Sequence, residues 1–309
     1  TTLIKALLQQ PEGANSAVVV NEYGEVGIDH ALLRSSSDTT VLLGNGCLCC
    51  NVRTDLQDSL RALFADRVRG AVPSFERVII ETSGLADPGP VLQTFATDRG
   101  LGREFHLQAL IAVVDAASGA ANLENMPEAR SQVALADRIV VTKGDLAGND
   151  AVERVVAQIG RLNPGPARLA VAGAIDPAFL LDEPPTAPRD AALGETRHTH
   201  THDHTHGLET FALMFETPLP WPAFDQAMAV LMALRGPDLL RVKGFVAIEG
   251  CRGPVVVHYV QHVAHPPVEL EEWPDADRRS RLVFITRGLS RQAVTQLFAG
   301  VAAVNRLSS

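Results

Sequence analysis

Three cysteines fall within four residues at Cys47-Leu48-Cys49-Cys50, and Gly44 and Gly46 lead into them. Glycine lets the backbone turn tightly at such a place. A disulfide inside so short a span is strained, because bridged cysteines need a particular Cα separation and dihedral. Three soft sulfur donors on one turn instead suit Zn²⁺ or another thiophilic metal, with a fourth ligand from elsewhere. The alternative is an inert set of small apolar residues, since unpaired cysteine packs well. A second metal-seeking stretch is His198-Thr-His200-Thr-His202-Asp203-His204-Thr-His206, which follows Pro184, Pro185 and Pro188. Imidazoles on a Pro-rich, pattern-free segment read as a linker with weak metal sites, or as a plain solvated linker or tag. His258, His262 and His265 are further candidates, although His258 and His262 share a strand face only if one strand runs unbroken through both. Cys251 reads as structural.

Two polar tetrapeptides close apolar runs. Glu81-Thr82-Ser83-Gly84 follows an Ile-rich segment and sets a carboxylate where Mg²⁺ and an attacking water would sit, with Gly84 open to a γ-phosphate. Thr142-Lys143-Gly144-Asp145 is close to the guanine-reading Asn-Lys-x-Asp. An Asp carboxylate only accepts, so Asp145 can take both N–H donors on the Watson–Crick edge of guanine, a pair that adenine lacks. Lys143 can lie along the base with its aliphatic stem. Thr142 in place of Asn removes an amide contact. Thr1-Thr2, followed by apolar residues at helical spacing, is what comes next after the Gly-Lys of a phosphate-binding loop.

The elements that must hold these groups are legible from periodicity. Apolar spacing predicts helices over 1–10, 51–69 and 151–162, and strands over 16–20, 39–43, 77–80, 110–114, 138–141 and 169–171. Strands alternating with helices imply a parallel sheet covered on both faces, with ligands at the carboxyl ends of its strands. After the linker, strands over 210–215, 240–248, 255–260 and 282–286 and helices over 223–234 and 291–304 imply a smaller α+β domain. The expected division is a nucleotide-binding domain over 1–181, a linker over 182–207 and an α+β domain over 208–309.

The bulk composition narrows the classes. With 309 residues, 46% of them hydrophobic, the chain has material for two cores. Net charge is −9 with no basic stripe, which speaks against a nucleic-acid partner. No uncharged apolar run reaches the roughly 18 residues of a membrane span. Cys251 alone lies outside the cluster, so there is no disulfide framework, and a reducing cytoplasm is the expected location.

Together the motifs resemble the CobW family of P-loop GTPases, which are GTP-dependent metallochaperones. The resemblance rests on Asn21-Glu22-Tyr23-Gly24-Glu25, Gly46-Cys47-Leu48-Cys49-Cys50, Glu81-Thr82-Ser83-Gly84-Leu85-Ala86-Asp87-Pro88, Val113-Val114-Asp115-Ala116 and Thr142-Lys143-Gly144-Asp145. The His-rich linker and Leu240-Arg241-Val242-Lys243-Gly244 also fit. It implies a P-loop fold, GTP/GDP and Mg²⁺ bound through Thr1, Thr2, Gly84, Thr142, Lys143 and Asp145, and Glu81 as the acidic residue of hydrolysis. It further implies zinc, or alternatively cobalt, at Cys47, Cys49 and Cys50, with Glu22 and Glu25 as metal or Mg²⁺ contacts in a first switch. A client metalloprotein is the expected partner. The rival readings are a metal insertase for one enzyme or a cobalamin pathway, and a non-enzymatic metal store. The phosphate-cradling glycines and the lysine that should precede Thr1, and the first strand, are absent from this chain. It therefore reads as truncated within the Walker A motif, the alternative being a nucleotide-dead version, and GTP hydrolysis is expected to be impaired in the chain as it stands.

Overall fold

A computed structural model describes residues 1–21, 41–44, 52–98, 100–164, 168–171, 176–181 and 207–307. By internal contacts the chain divides into two units, Thr1–Leu107 with Gly173–Asp182, and Gln108–Ala172 with Glu183–Ser309.

The first unit begins with helix α1 (Thr2–Leu8), strands β1 (Ser16–Asn21) and β2 (Val41–Gly44), helix α2 (Val52–Val68) and strand β3 (Arg77–Thr82). Helices α3 (Gly89–Thr97) and α4 (Leu101–Glu104) follow. The sheet order is β2-β1-β3, all parallel. Alternation along β1 sends its side chains to opposite faces. Ala17 and Val19 meet Leu56, Leu60 and Leu63 of α2, while Val18 packs with Leu8 and Ile4 of α1. The spacing of the three leucines puts them on one helical stripe, and each is almost fully buried. Helices on both sides of an apolar parallel strand are the arrangement its composition requires.

In the second unit, β4 (Ile111–Asp115), β5 (Arg138–Thr142) and β6 (Arg168–Val171) form another parallel sheet, in the order β4-β5-β6. They alternate with α5 (Gly119–Asn125), α6 (Pro127–Leu135), α7 (Gly144–Ala147) and α8 (Asn149–Leu162). Ile139 and Val141 of β5 are buried with Leu123, Val133, Val155 and Ile159. Helix α5 starts so close to β4 that a side chain at Gly119 would lie 2.7 Å from a methyl of Val114.

The C-terminal part of this unit is an antiparallel sheet. Its strands are β7 (Leu208–Phe215), β8 (Leu239–Val246), β9 (Val255–Val260), β10 (Val263–Ala264), β11 (Val268–Glu269) and β12 (Ser280–Arg287). The order is β10-β9-β8-β12-β7, with β11 on β9. Helices α9 (Trp221–Arg235) and α10 (Arg291–Leu307) cover one face through Phe224, Met228, Leu231, Val294 and Phe298. Gly244 is required in β8, because a Cβ there would meet the Arg281 carbonyl oxygen at 1.9 Å. All of β8 is buried, including Arg241 and Lys243. Those two cations share the face opposite Val242 and Val246, which pack with the helices.

The expected P-loop-type α/β architecture with a separate α+β C-terminal domain is observed. The strands and helices predicted by periodicity are present with ends shifted by a few residues; α3 to α7, a short helix Pro177–Leu181 and strands β10 and β11 are additional. Residues 108–172 share one compact unit with the C-terminal sheet, and Arg241 of that sheet hydrogen-bonds to the end of α6 and to Asp137, as described below.

Candidate functional site

In the first unit the strands converge on Glu81. The parallel register pairs Val20 with both Gly44 and Glu81, and Asn21 with Thr82. Strand β1 therefore ends beside Glu81, and β2 one strand further along the same edge. Glu81 Oε1 accepts a hydrogen bond from Thr1 Oγ1 at 2.8 Å, and the main-chain nitrogen of Thr1 contacts the same oxygen. Glu81 Oε2 is buried and has no hydrogen-bond partner among the described residues. A buried carboxylate oxygen without a donor is costly. A hydroxyl and a carboxylate side by side form the hard oxygen set that Mg²⁺ prefers, so these residues fit that ion. Past β3, Ala86 N donates to Ser83 O at 2.9 Å, closing a turn through Gly84 and Leu85. Gly84 is exposed, and a Cβ there would meet nothing within 4 Å, so an approaching group has open access. Asp87 Oδ1 caps the start of α3 by accepting from Gly89 N at 3.0 Å. Thr2 is exposed at the first position of α1.

In the second unit, Asp115 and Thr142 are register partners at the carboxyl ends of β4 and β5. The ends are tied together by Ala116 N donating to Thr142 O at 2.8 Å and by Thr142 Oγ1 donating to Val114 O at 3.4 Å. Lys143 takes a left-handed backbone conformation, φ 57°, at the start of α7, and Asp145 is exposed in the first turn of that helix. Lys143 Nζ donates to Asp115 Oδ2 at 2.7 Å. Asp115 Oδ1 accepts from Ala117 N at 2.7 Å. The Lys143 hydrogen bond, with the backbone N–H groups of Ala117 and Ser118, holds the Asp115 carboxyl below the usual carboxylate range despite partial burial. The lysine stem is thus anchored at its tip, one residue before the helical turn that carries the Asp145 carboxylate. An apolar wall beside an acceptor-only group is the chemistry that reads a base with two adjacent N–H donors.

A buried charged cluster lies at the opposite end of β4 and β5. Arg241 Nη2 donates to Asp137 Oδ1 at 2.7 Å, and its Nη1 donates to the carbonyl oxygens of Leu135 and Ala136, each at 2.7 Å. Those are the last carbonyls of α6, the groups a helix leaves without internal partners. Leu110 N donates to Asp137 Oδ2 at 3.0 Å, and Leu110 O accepts from Asp137 N at 2.7 Å. Asn163 Nδ2, just after α8, donates to the carbonyl oxygens of Val133 and Ala136. Lys243 Nζ lies 3.5 Å and His258 Nε2 3.4 Å from Asp137 Oδ1, and the His258 ring stacks on His265 at 4.2 Å between centroids. Burial alone would push the Asp137 carboxyl up, but Arg241 and Lys243 hold it below the ordinary range. Burial, reinforced by Arg241, lowers the Lys243 amine to about 7. Burial and the same cations push His258 well below its ordinary value, so it is neutral.

Cys47, Cys49, Cys50, Glu22, Glu25, His198, His200, His202, His204 and His206 lie outside the described residues. Strand β9 ends at Val260, and Gln261 turns with φ 50°, so His258 and His262 do not share one unbroken strand. The His262 ring instead packs where a side chain at Gly236 would sit. Among the described residues no group of three or more His, Cys, Asp or Glu side chains could hold a metal ion, and no helix is long and apolar enough to cross a membrane. Sequence reasoning left Asp115 without a role and did not single out Asp137. The available signal for the second was a pair of cations two apart in an otherwise apolar strand, which need a buried carboxylate opposite them.

Residues 1–169 match the model of the CobW/HypB/UreG nucleotide-binding domain, and residues 208–302 that of the cobalamin synthesis protein cobW C-terminal domain. The zinc chaperone YjiA of Escherichia coli (strain K12) is 30% identical, over 97% of this chain and 94% of its own. The zinc chaperone CobW of Pseudomonas aeruginosa is 30% identical, over 95% of this chain and 86% of its own. The crystal structure of the Zn(II)-bound YjiA GTPase from E. coli superposes with a TM-score of 0.72 at 27% identity, covering 97% of this chain and 94% of that one. With both of its parts matched in order, the chain belongs to the CobW/HypB/UreG family of nucleotide-binding proteins that carry a cobW C-terminal domain.

Proposed function

We propose that this protein is a GTP-dependent zinc metallochaperone, in which GTP hydrolysis drives transfer of zinc from a cysteine site to a client metalloprotein. The observation that carries the reading is the pairing of Thr1 Oγ1 with Glu81 Oε1 beside Glu81 Oε2, which is buried and has no partner among the described residues. This oxygen-rich centre lies at the strand edge from which the chain continues toward both the first switch and the cysteines. Thr1 and Glu81 would hold Mg²⁺, which supplies charge neutralisation for the phosphates when bound. Glu81 then orients the attacking water through the carboxylate oxygen that lacks a donor. Lys143 and Asp145 select guanine, and Asp115 fixes the Lys143 tip. Zinc is cargo. Cys47, Cys49 and Cys50 supply three thiolates, a donor set suited to Zn²⁺ and also able to take other thiophilic metals, with Glu22 or Glu25 available as harder ligands. The similarity to proteins named zinc chaperones favours zinc over cobalt.

Switch and metal segments leaving one strand edge give hydrolysis a route to the metal. A γ-phosphate that orders the switch alters the ligand set around the cysteines, and its loss releases the metal. The test is titration of zinc into the full-length protein under reductant, with GDP or with a non-hydrolysable GTP analogue. Reciprocal coupling requires different zinc affinities in the two states, typically by roughly 5–150-fold. Equal affinities would leave hydrolysis unable to drive transfer and would remove this reading in favour of plain metal storage.

A further inference from the structure

The Leu240-Arg241-Val242-Lys243-Gly244 motif has no part in the nucleotide or metal chemistry above, yet its arginine makes three buried hydrogen bonds through its two Nη atoms. One guanidinium closes the end of α6 and pairs with Asp137, and Asp137 in turn fixes the first backbone groups leading into β4. The strands that start at this node are the two whose far ends carry Asp115 on β4 and Thr142-Lys143-Gly144-Asp145 after β5. Each is five residues long, about 16 Å at the usual rise per residue. The first four residues of β5 are buried without exception, so the strand has no slack with which to absorb a shift at its base.

We propose that Arg241 of the C-terminal domain is a positioning residue for guanine recognition, acting through Asp137 and the starts of β4 and β5 on the loops that hold Asp115, Lys143 and Asp145. The proposal rests on the reading of Lys143 and Asp145 as the base-reading pair. Its physical basis is the fork geometry of arginine. A guanidinium holds a carboxylate and two carbonyls in one fixed arrangement, which a point charge or an apolar chain of equal length cannot do. Hydrophobic replacement of both partners can restore the stability of such a buried site when measured above about pH 8, where the buried Lys243 amine, lowered to about 7, is neutral and no charge is left stranded, but it does not restore the directional contacts. Stability and positioning can therefore be separated.

The experiment compares the unsubstituted full-length protein with Arg241→Lys, Arg241→Met and the double variant Arg241→Met/Asp137→Leu. Binding of GDP, a non-hydrolysable GTP analogue and ATP is measured well below each variant's melting range. Arg241→Met is expected to lose about tenfold in guanine-nucleotide affinity, within the range of coupling carried by buried networks. Arg241→Lys, which keeps the charge but not the fork, falls between. The double variant regains thermal stability without regaining affinity or the preference for guanine over adenine, and it carries the test should Arg241→Met fail to fold. Recovery of affinity together with stability in the double variant, or unchanged affinity in folded Arg241→Met, would overturn the proposal. An unsubstituted protein that binds ATP as well as GTP would instead overturn the base-reading assignment on which it rests.

Discussion

Replacing Lys243 with methionine should remove a pH dependence of stability that the fold imposes. The Lys243 amine is buried on β8, with Arg241 on the same strand and Asp137 and Arg138 at the start of β5. His258, its register partner on β9, and His265, stacked on that ring, complete the surroundings. Arg241 already claims the near oxygen of Asp137 at 2.7 Å, so burial and Arg241 prevail and lower the amine from 10.5 to about 7. Between those values the unfolded chain binds one proton more than the folded chain, so stability rises with pH. Below about 7 both states are protonated and the cost of the buried charge is fully present. The slope is about 1.4 kcal/mol per pH unit, or about 2 kcal/mol between pH 7.5 and 9. Neutral His258 would titrate below this window, and the Cys251 thiol, pushed up by burial and Glu269, opposes the gain only near its upper end and equally in both proteins. Urea unfolding followed by tryptophan fluorescence reports the right region, because the chain has two tryptophans, Trp221 and Trp273, both in the C-terminal part. The unsubstituted protein should gain about 2 kcal/mol across this range, while Lys243→Met should be nearly flat and more stable at pH 7.5. Parallel pH profiles for the two proteins would show that Lys243 is charged and adequately paired in the fold, and the reasoning would fail.

Three further outcomes are expected. Cys49→Ser should abolish tight zinc binding while leaving weaker sites at His198–His206, and an unchanged tight stoichiometry by metal analysis would rule out the cysteine site. Asp145→Asn should weaken GTP binding and favour xanthosine triphosphate, because an amide replaces one acceptor with a donor; competition binding with both nucleotides reads this directly. Glu81→Gln should lower GTP turnover by roughly a hundredfold or more with little loss of nucleotide affinity, as fits a group acting on the attacking water. Single-turnover kinetics separate the two effects.

The parallel strands were legible because each is a short apolar run with a polar residue at its carboxyl end. Their ends lie close to those expected: β5 extends by one residue to include Thr142, and β3 by two to include Glu81 and Thr82. Helices α5 and α6 were not legible. The α5 segment has a single large apolar residue, Leu123, and the apolar stripe of α6 is broken by Arg130 and Ser131, both buried through contacts that periodicity does not reveal. The histidines after β9 were ambiguous for a related reason, since a turn at Gln261 decides which rings meet and no residue-spacing rule places that turn.

By itself the sequence determined which chemistry the chain carries. A thiolate triplet, an acceptor-only Asp145 after Lys143, and Glu81 at a strand end are properties of residue type and local order, and survive any packing that keeps the strands parallel. Tertiary structure alone decided what those groups lean on. Thr1 meets Glu81 across eighty positions, Lys143 meets Asp115 across twenty-eight, and Arg241 meets Asp137 across more than a hundred. Contacts at such separation are chosen by which strands become neighbours and, for Arg241, by which buried charge finds its counter-charge, and no periodicity along the chain encodes that choice.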